Sequence, residues 1–503
     1  MALVAAFLGW LFDGFEMGLF PLIGKPALQD LLPHAPDAAR NQWFTVIIAV
    51  FLVGAATGGV LFGWLGDKLG RVKAMTLAIF TYAIFTGLCA FVTEAWQFAA
   101  LRFVASLGMG GEWSLGVALV NELWAGRNRA WIAGMIGAAS NIGFLLTGVL
   151  SLFLNNYYMS AAGVHSSEAA AGVMGYLFHN RAWRLLAISG ALPALINFFI
   201  LIFVPESHKW EEEKKLGKTS HWETWDLLGV LIAAIAALVI IYVWSPMVSV
   251  GVAIATLVTV VGLGVALWGY LHPVRQYLGR SAAAHDARAH EHEGVLRNLL
   301  VGAGLASVAL LGTWGSAQQA PKWASGLIDG GTIPIIEYTV LATSIGAILV
   351  TLLTPLVADL LGRRVTYTIL CAASLAVAFF FFQMNQPMAA GTGLGDAKFI
   401  QFFISAFLLG GITASFYGFF PLYFPELFPT SVRATGQGFC FNFGRLIAAI
   451  GSLQLANLTG LLGGKNISPH QAMANAYCAL CMVYVIGIVL VWFCPETKGK
   501  ALE

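Results

Sequence analysis

Four ionisable side chains stand where an otherwise lipid-compatible sequence should carry none. Asp13 and Glu16 interrupt the run LFDGFEMGLF (11–20), Arg102 opens RFVASLGMGGEW, and Arg445 sits in FNFGRLIAAIG. A charged side chain at mid-bilayer costs about 2.5–3.5 kcal/mol on insertion scales, so it normally faces an interior cavity or a partner. Three residues separate Asp13 from Glu16, which sets both on one helical face. At 1.5 Å per residue they lie roughly 15 and 20 Å into the run, and Arg102 roughly 9 Å from the far edge of its own. The chemistry expected is reversible proton binding: a neighbouring guanidinium favours the ionised carboxylate, whereas burial and a second carboxylate favour the protonated one. Asp13, Glu16 and Arg102 are therefore the candidate proton-coupling set. The alternative is a permanent ion pair that only holds helices together.

Arg445, roughly 16 Å into its run, has no acid on its own helix, and a guanidinium offers planar bidentate geometry to a carboxylate. It is the candidate anion-binding residue. Glu112, after the glycines of GMGGEW, lines the pathway or serves as a structural partner. Gly108, Gly110 and Gly111 read as a close helix contact, because no strand precedes them as a nucleotide-binding loop would need. Asn121, Asn141, Asn197, Gln437 and Asn442 either touch substrate or bond across helices. Gln318 and Gln319 lie in TWGSAQQAPKW (313–323), an expected outer gate broken by Pro321, whose Trp314 and Trp323 fit interfacial anchors equally well. Asn141, Asn442, Gln318 and Gln319 join Arg445 and Glu112 as candidate substrate residues.

The elements that position these groups follow from composition. Of 503 residues 58% are apolar and 10% charged, against about a quarter charged in a soluble domain, so the chain is read as polytopic and embedded in lipid. A span needs about 20 mostly apolar residues. Such runs occur near 3–24, 43–65, 74–93, 96–121, 131–154, 183–204, 227–244, 247–271, 296–316, 333–357, 365–384, 399–424, 434–458 and 474–494. The first run ends in Pro21 and Lys25 without a cleavage pattern, so it is expected to stay as a span.

Basic residues orient the chain, because short cytoplasmic loops retain an excess of them. With the N-terminus inside, the outer loops hold only Lys25, Arg40, Arg181, Arg184, Lys322, Lys398 and Lys465, and most other Lys and Arg fall on inner loops. Both termini are expected in the cytoplasm, in a cell (plasma) membrane. The net charge of +2 gives no field for nucleic acid. The six cysteines, including the CALC pair Cys478 and Cys481, lie in apolar runs and are read as packing. The histidines of HDARAHEHE (285–293) are read as a solvated loop. No metal, cofactor or catalytic constellation is expected, and so no enzyme.

An internal repeat organises the spans. GWLGDKLGRVK (63–73) returns as PLVADLLGRRV (355–365), NELWAGRNRA as PELFPTSVRA, and VPESHKW as CPETKGK. The copies lie about 290 to 300 positions apart, so a six-helix unit occurs twice. The domains expected are a six-helix bundle over 1–205, a linker over 206–226, an inserted helix pair over 227–271, a linker over 272–294 and a second bundle over 295–503. Gly63, Asp67, Gly70, Arg71, Glu122 and Arg129 in one copy answer Asp359, Gly362, Arg363, Arg364, Glu426 and Arg433 in the other, with Pro355 where the first has Gly63. These read as a cytoplasmic latch whose pairs form in one conformation and break in another. The alternative is topology-setting charge alone.

With these motifs the chain resembles the major facilitator superfamily across both six-helix halves but not the insert. GWLGDKLGR resembles the loop signature after the second helix, RFVASLGMGGEW the fourth-helix motif, and PES and PETKG the sugar-porter branch. DGFE, GGEW and NFGR together resemble the organic-acid:proton symporters, among them aromatic-acid and sialate carriers, with Glu16 where that branch usually has Asp. The resemblance implies an all-α fold of two six-helix bundles in pseudo-twofold repeat, to which the apolar runs add two inserted helices, fourteen transmembrane helices in all. It also implies proton-coupled symport of a small organic anion by alternating access. The expected partners are proton, substrate and bilayer, and the oligomeric state is left open. The alternative is a sugar or polyol porter of the same fold, whose site should be rich in Gln, Asn and Trp. A transport-dead receptor would lack the coupling charges.

Overall fold

In lipid every backbone polar group must be satisfied within the chain, which leaves helices as the spanning solution for runs of this length. The computed structural model describes residues 2–123, 129–154, 173–195, 204–283, 294–328, 333–389, 391–464 and 466–499. Among them, twelve helices are long and apolar enough to cross a membrane, or thirteen counting one bent pair. The protein is an all-helical multi-pass membrane protein.

The first group of helices is α1 (Ala2–Leu31), α2 (Asp37–Leu69), α3 (Arg71–Leu88), α4 (Ala95–Leu123), α5 (Arg129–Leu152) and α6 (Val173–Ser189). A short polar helix α7 (His208–Lys215) leads to the inserted pair α8 (Leu227–Val243) and α9 (Val252–Ala283). Then come α10 (Val295–Gly315), α11 (Ile335–Leu361), α12 (Arg363–Met384), α13 (Ala397–Ala414) and α14 (Phe416–Tyr423). The last are α15 (Arg433–Leu453), α16 (Leu455–Leu462), α17 (Pro469–Cys481) and α18 (Val483–Leu490).

Helix α1 packs on α5 and α2 on α4 in the first group, while α10 packs on α15 and α11 on α13 in the second. Two further contacts, α2 with α15 and α5 with α11, join the groups along one seam. The insert lies against this seam: α8 packs on α2 and touches α15, α9 packs on α8, and Tyr270 shares a 2.8 Å hydrogen bond with Thr57 of α2. Its outer surface, Val252, Ile254, Leu257, Val260 and Val261, is exposed, as a lipid-facing surface should be.

Breaks depart from the expected boundaries. The outer interruption of α10 falls at Ser316 (φ −131°, ψ −80°), and Pro321 instead helps start a short helix, Ala320–Ala324. Helices α15 and α16 meet at 42° where one straight span was expected. Non-helical angles at 179–182 kink α6, and the rest of the sixth run, with Asn197, lies outside the described residues. So does HDARAHEHE. All six cysteines are free and buried.

Helix α1 reaches the seam because glycine lets it sit against α5. A Cβ on Gly14 would lie 1.8 Å from the Ser140 carbonyl oxygen, and one on Gly143 would lie 1.9 Å from that of Leu11. Overpacking of this kind typically costs about 1–3 kcal/mol. Gly14→Ala should therefore lower the melting temperature of the detergent-purified protein clearly, whereas Gly264→Ala, with open space around it, should leave it unchanged or raise it.

Candidate functional site

Helix α1 turns its two acids to different partners. Glu16 is fully buried, and its Oε1 accepts from the Arg102 guanidinium of α4 and, at 3.0 Å, from the Thr86 hydroxyl of α3. Arg102 also lies over the ring of Phe51, 4.4 Å from its centroid. Asp13 makes no such pair among the described residues. Its charged neighbours include Arg445, from the second group of helices, Glu16 and Glu112. The expected trio is thus divided: Arg102 serves Glu16, and Asp13 faces Arg445 across the seam. Residues three apart on a helix point about 60° from one another, enough to send them to different neighbours.

Arg445 is almost wholly buried, yet its Nε and Nη1 have no hydrogen-bond partner among the described residues. Its guanidinium lies 5.1 Å from the Phe441 ring centroid, with Asp13, Tyr417 and Glu16 as electrostatic neighbours. Glu112 is buried beside Asp13 and the Tyr82 hydroxyl. Three carboxylates, Asp13, Glu16 and Glu112, thus act electrostatically on the buried Tyr82. Tyr82 and Thr86 were missed in the sequence, although their spacing of four on α3 sets both on one helical face.

A narrow cleft of about 50 Å³ runs between the groups, lined by Met17, Pro21, Asn141, Phe144, Gln318, Ser344 and Tyr417. Two of the expected substrate residues, Asn141 and Gln318, line it. Others do not. Gln319 bonds back to the Trp314 carbonyl at 3.4 Å, because the turn at Ser316 directs it inward. Asn442 donates to the Gly110 carbonyl at 3.1 Å, tying α15 to α4. Trp314 and Trp323 are buried, against Phe51 and His470 respectively, and so are not interfacial anchors.

The face that carries the two DxxGR motifs, the basic face, is sealed by ions. Gly70 (φ 115°) and Gly362 (φ 92°) take the left-handed turns that reverse the chain there. Arg71 donates to Asp67 at 2.6 Å and to Glu122 at 3.2 Å; Arg363 donates to Asp359 at 2.7 Å and to Glu426 at 2.8 Å. Cross-seam contacts connect the clusters: Arg129 with Glu426 (3.2 Å), Arg433 with Glu122 (3.7 Å) and Asp67 with the Thr435 hydroxyl (2.5 Å). Gly63 packs on Thr435 across the same seam. Arg364 departs from the expected latch, because its guanidinium bonds the Cys494 carbonyl of its own half at 2.6 Å.

The PES and PET glutamates gain a role here as well. Glu206 accepts from the Arg71 and Val72 backbone N–H groups at the start of α3, and Glu496 from those of Arg363 and Arg364 at the start of α12. Burial opposes the charge of Glu496, yet these N–H groups and that of Lys498 hold its carboxyl below the ordinary range.

On the opposite face Asp30 gathers the Trp183 indole (2.7 Å), Arg184 (2.9 Å), Asn180 and His179. Arg181 pairs with Glu337 across the seam. Beyond the cleft, and sharing Pro21 with it, opens a vestibule of about 370 Å³.

A cleft between two helix groups, closed at one face by ion pairs and leading to a vestibule at the other, is the arrangement of a secondary transporter. The chain belongs to the sugar (and other) transporter family, whose model matches residues 1–221 and 335–503, on either side of the insert. It is 25% identical to a probable 4-methylmuconolactone transporter of Cupriavidus pinatubonensis, over 99% of this chain and 91% of that one. It is 24% identical to a cis,cis-muconate transport protein of Acinetobacter baylyi, over 99% and 95%. In fold it matches the major facilitator superfamily proton:xylose symporter XylE bound to 6-bromo-6-deoxy-D-glucose, with a TM-score of 0.68 at 18% identity, covering 100% and 97%. It is a major facilitator superfamily transporter of a small molecule.

Removing one partner of a buried pair typically costs about 3–5 kcal/mol. Glu122→Gln, which leaves Arg71 and Arg433 without their shared carboxylate, should loosen the basic face. A cysteine introduced by Ser114→Cys, at the buried position whose carbonyl accepts from Gln437, should then react with maleimide several-fold faster from that face. An unchanged rate would show that other contacts hold the seam.

Proposed function

We propose that the protein is a proton-coupled symporter of a small organic anion. The observation that carries this reading is Arg445, a buried guanidinium whose Nε and Nη1 have no hydrogen-bond partner among the described residues and whose electrostatic neighbour Tyr417, though not Arg445 itself, lines the cleft. A guanidinium so held is a receptor for a carboxylate. The relatives named for muconate and 4-methylmuconolactone support the substrate class.

Coupling follows from charge balance. Asp13 and Arg445 offset one another across the seam while no anion is bound. An anion that engages Arg445 leaves Asp13 facing Glu16 and Glu112, and crowded buried carboxylates cannot all stay ionised. A proton then enters with the anion. Glu16, held by Arg102 and Thr86, fixes the helix contact. The proton-coupling role thereby centres on Asp13, with Arg445 as its counter-charge.

The same reading includes the finer architecture: fourteen spans, with the run near 183–204 as the sixth, and two six-helix bundles over 1–205 and 295–503 related by a pseudo-twofold axis. The matched packing of α2 on α15 and α5 on α11 supports it. The linkers at 206–226 and 272–294 and the inserted pair at 227–271 complete the chain. The basic face is cytoplasmic by the distribution of Lys and Arg, both termini lie there, and the membrane is the plasma membrane. Alternating access then consists of breaking the basic-face ion pairs while the opposite face closes.

Uptake into proteoliposomes, with and without an inward proton gradient, tests this with a panel of carboxylates led by cis,cis-muconate and a panel of hexoses and polyols. Gradient-driven accumulation of a carboxylate is expected. Accumulation of hexoses alone would favour a sugar porter. Asp13→Asn should abolish accumulation against a gradient while keeping carboxylate exchange, and Arg445→Lys should raise the KM about tenfold or more by losing the bidentate contact. Full proton-driven accumulation by Asp13→Asn would remove the coupling role.

A further inference from the structure

The vestibule on the opposite face holds two cations without an ion-pair partner among the described residues. Lys25 of α1 and Lys322 of the helix Ala320–Ala324 line it from opposite sides of the seam. Lys322 lies over the Phe44 ring, Nζ 4.6 Å from its centroid, and its charged neighbour is Lys25. Neither ammonium has an ion-pair partner among the described residues. The remaining charges of the vestibule are already engaged. Asp37 and Arg40 bond one another at 3.0 Å, and Arg40 also donates to the Leu32 and Pro33 carbonyls. His470 stacks on Trp323, with its ring nitrogen 3.1 Å from the Trp323 carbonyl oxygen.

Two like charges facing one another across a seam repel, and the repulsion grows as the seam closes. An anion between them reverses its sign. Gln29, Asn41 and Ser325 add neutral hydrogen-bonding groups around the same space, and Pro21 connects it to the cleft. The site is therefore built to attract a small anion, hold it on the way in, and resist closure without it.

We infer that Lys25 and Lys322 form an entry site for a small organic carboxylate, and that closure of the opposite face requires an anion between them. This rests on the organic-anion reading and adds a second station to it, separate from Arg445. Capture of this kind speeds association, and its effect falls as salt shortens the Debye length, about 8 Å at 0.15 M.

The test uses the full chain in proteoliposomes, with carboxylate uptake measured at low and high ionic strength for the wild type, Lys25→Gln, Lys322→Gln, the double variant and Lys322→Arg. At low salt each Gln variant should raise the KM about three- to tenfold, with the rate at saturation within about twofold of wild type, and the double variant should flatten the salt dependence of the KM. Lys322→Arg, which keeps the charge, should behave as wild type. Size-exclusion profiles of the detergent-purified variants check that each folds. If the wild type accumulates a carboxylate but the Gln variants keep its KM and salt dependence, the entry site is wrong and the anion reading stands. If the wild type takes up no carboxylate, both fall.

Discussion

A guanidinium buried at membrane depth needs a negative neighbour, and for Arg445 that neighbour comes from the other group of helices. The electrostatic attraction between Asp13 and Arg445 across the seam is the constraint on which the proposed site depends. Helix α1 must sit close enough to α5 to bring Asp13 to the seam, which the glycine contact at Gly14 and Gly143 permits. Helix α15 must lie against α10 and α2 to bring Arg445 there from the other side. Glu16, one turn from Asp13, is tied to α3 and α4 through Thr86 and Arg102, which fixes the rotation of α1 about its axis. One acid anchors the helix, and the other is left to respond.

The positions of the helices were largely legible in the sequence, because runs of apolar residues set spans and charges set their ends. Thirteen of the expected runs coincide with a membrane-length helix or the bent pair among the described residues. The charged residues of the site were legible for the same reason, since each stood out against an apolar background. Their pairing was not. Spacing along one helix fixes a face only to within a broad arc, and the choice between Arg102 and Arg445 as the partner of Asp13 depends on which neighbouring helix that arc meets. Gln319 and Asn442 show the same limit: both are polar and at a suitable depth, but a backbone turn at Ser316 and a bond to Gly110 take them out of the cleft. The network at Asp30 joins residues about 150 positions apart, a separation that no local pattern encodes.

The repeated motifs at the basic face carry more than their charges suggested. Each glycine–arginine turn is closed by a glutamate arriving from the end of its own half, Glu206 or Glu496, which caps the next helix through backbone N–H groups. Each arginine then bridges an acid at the end of the preceding helix, Asp67 or Asp359, to a second one, Glu122 or Glu426, and these meet Arg433 and Arg129 from across the seam. The turns and caps tie each motif within its own half, so that in the proposed alternating-access cycle the cross-seam contacts are the ones that change. Pro355, at the position of Gly63, leaves these ties intact because the pairing groups lie further along the motif.

Why ions and not an apolar seal should close this face follows from the energetics of burial. An apolar contact gains about 25 cal/mol for each Å² removed from water and loses all of it on opening. A buried ion pair gains Coulomb energy but gives up hydration of similar size, so its net contribution to closure is small. Opening the seam breaks the pairs and returns the water, and the two terms nearly cancel. The cluster of Arg71, Glu122, Arg129, Glu426 and Arg433 can therefore specify one closed geometry without making it deep. Such a seal suits the proposed cycle, in which the seam opens as often as it closes, because under that proposal the modest free energy of one bound anion and one proton is enough to shift the balance between its two arrangements.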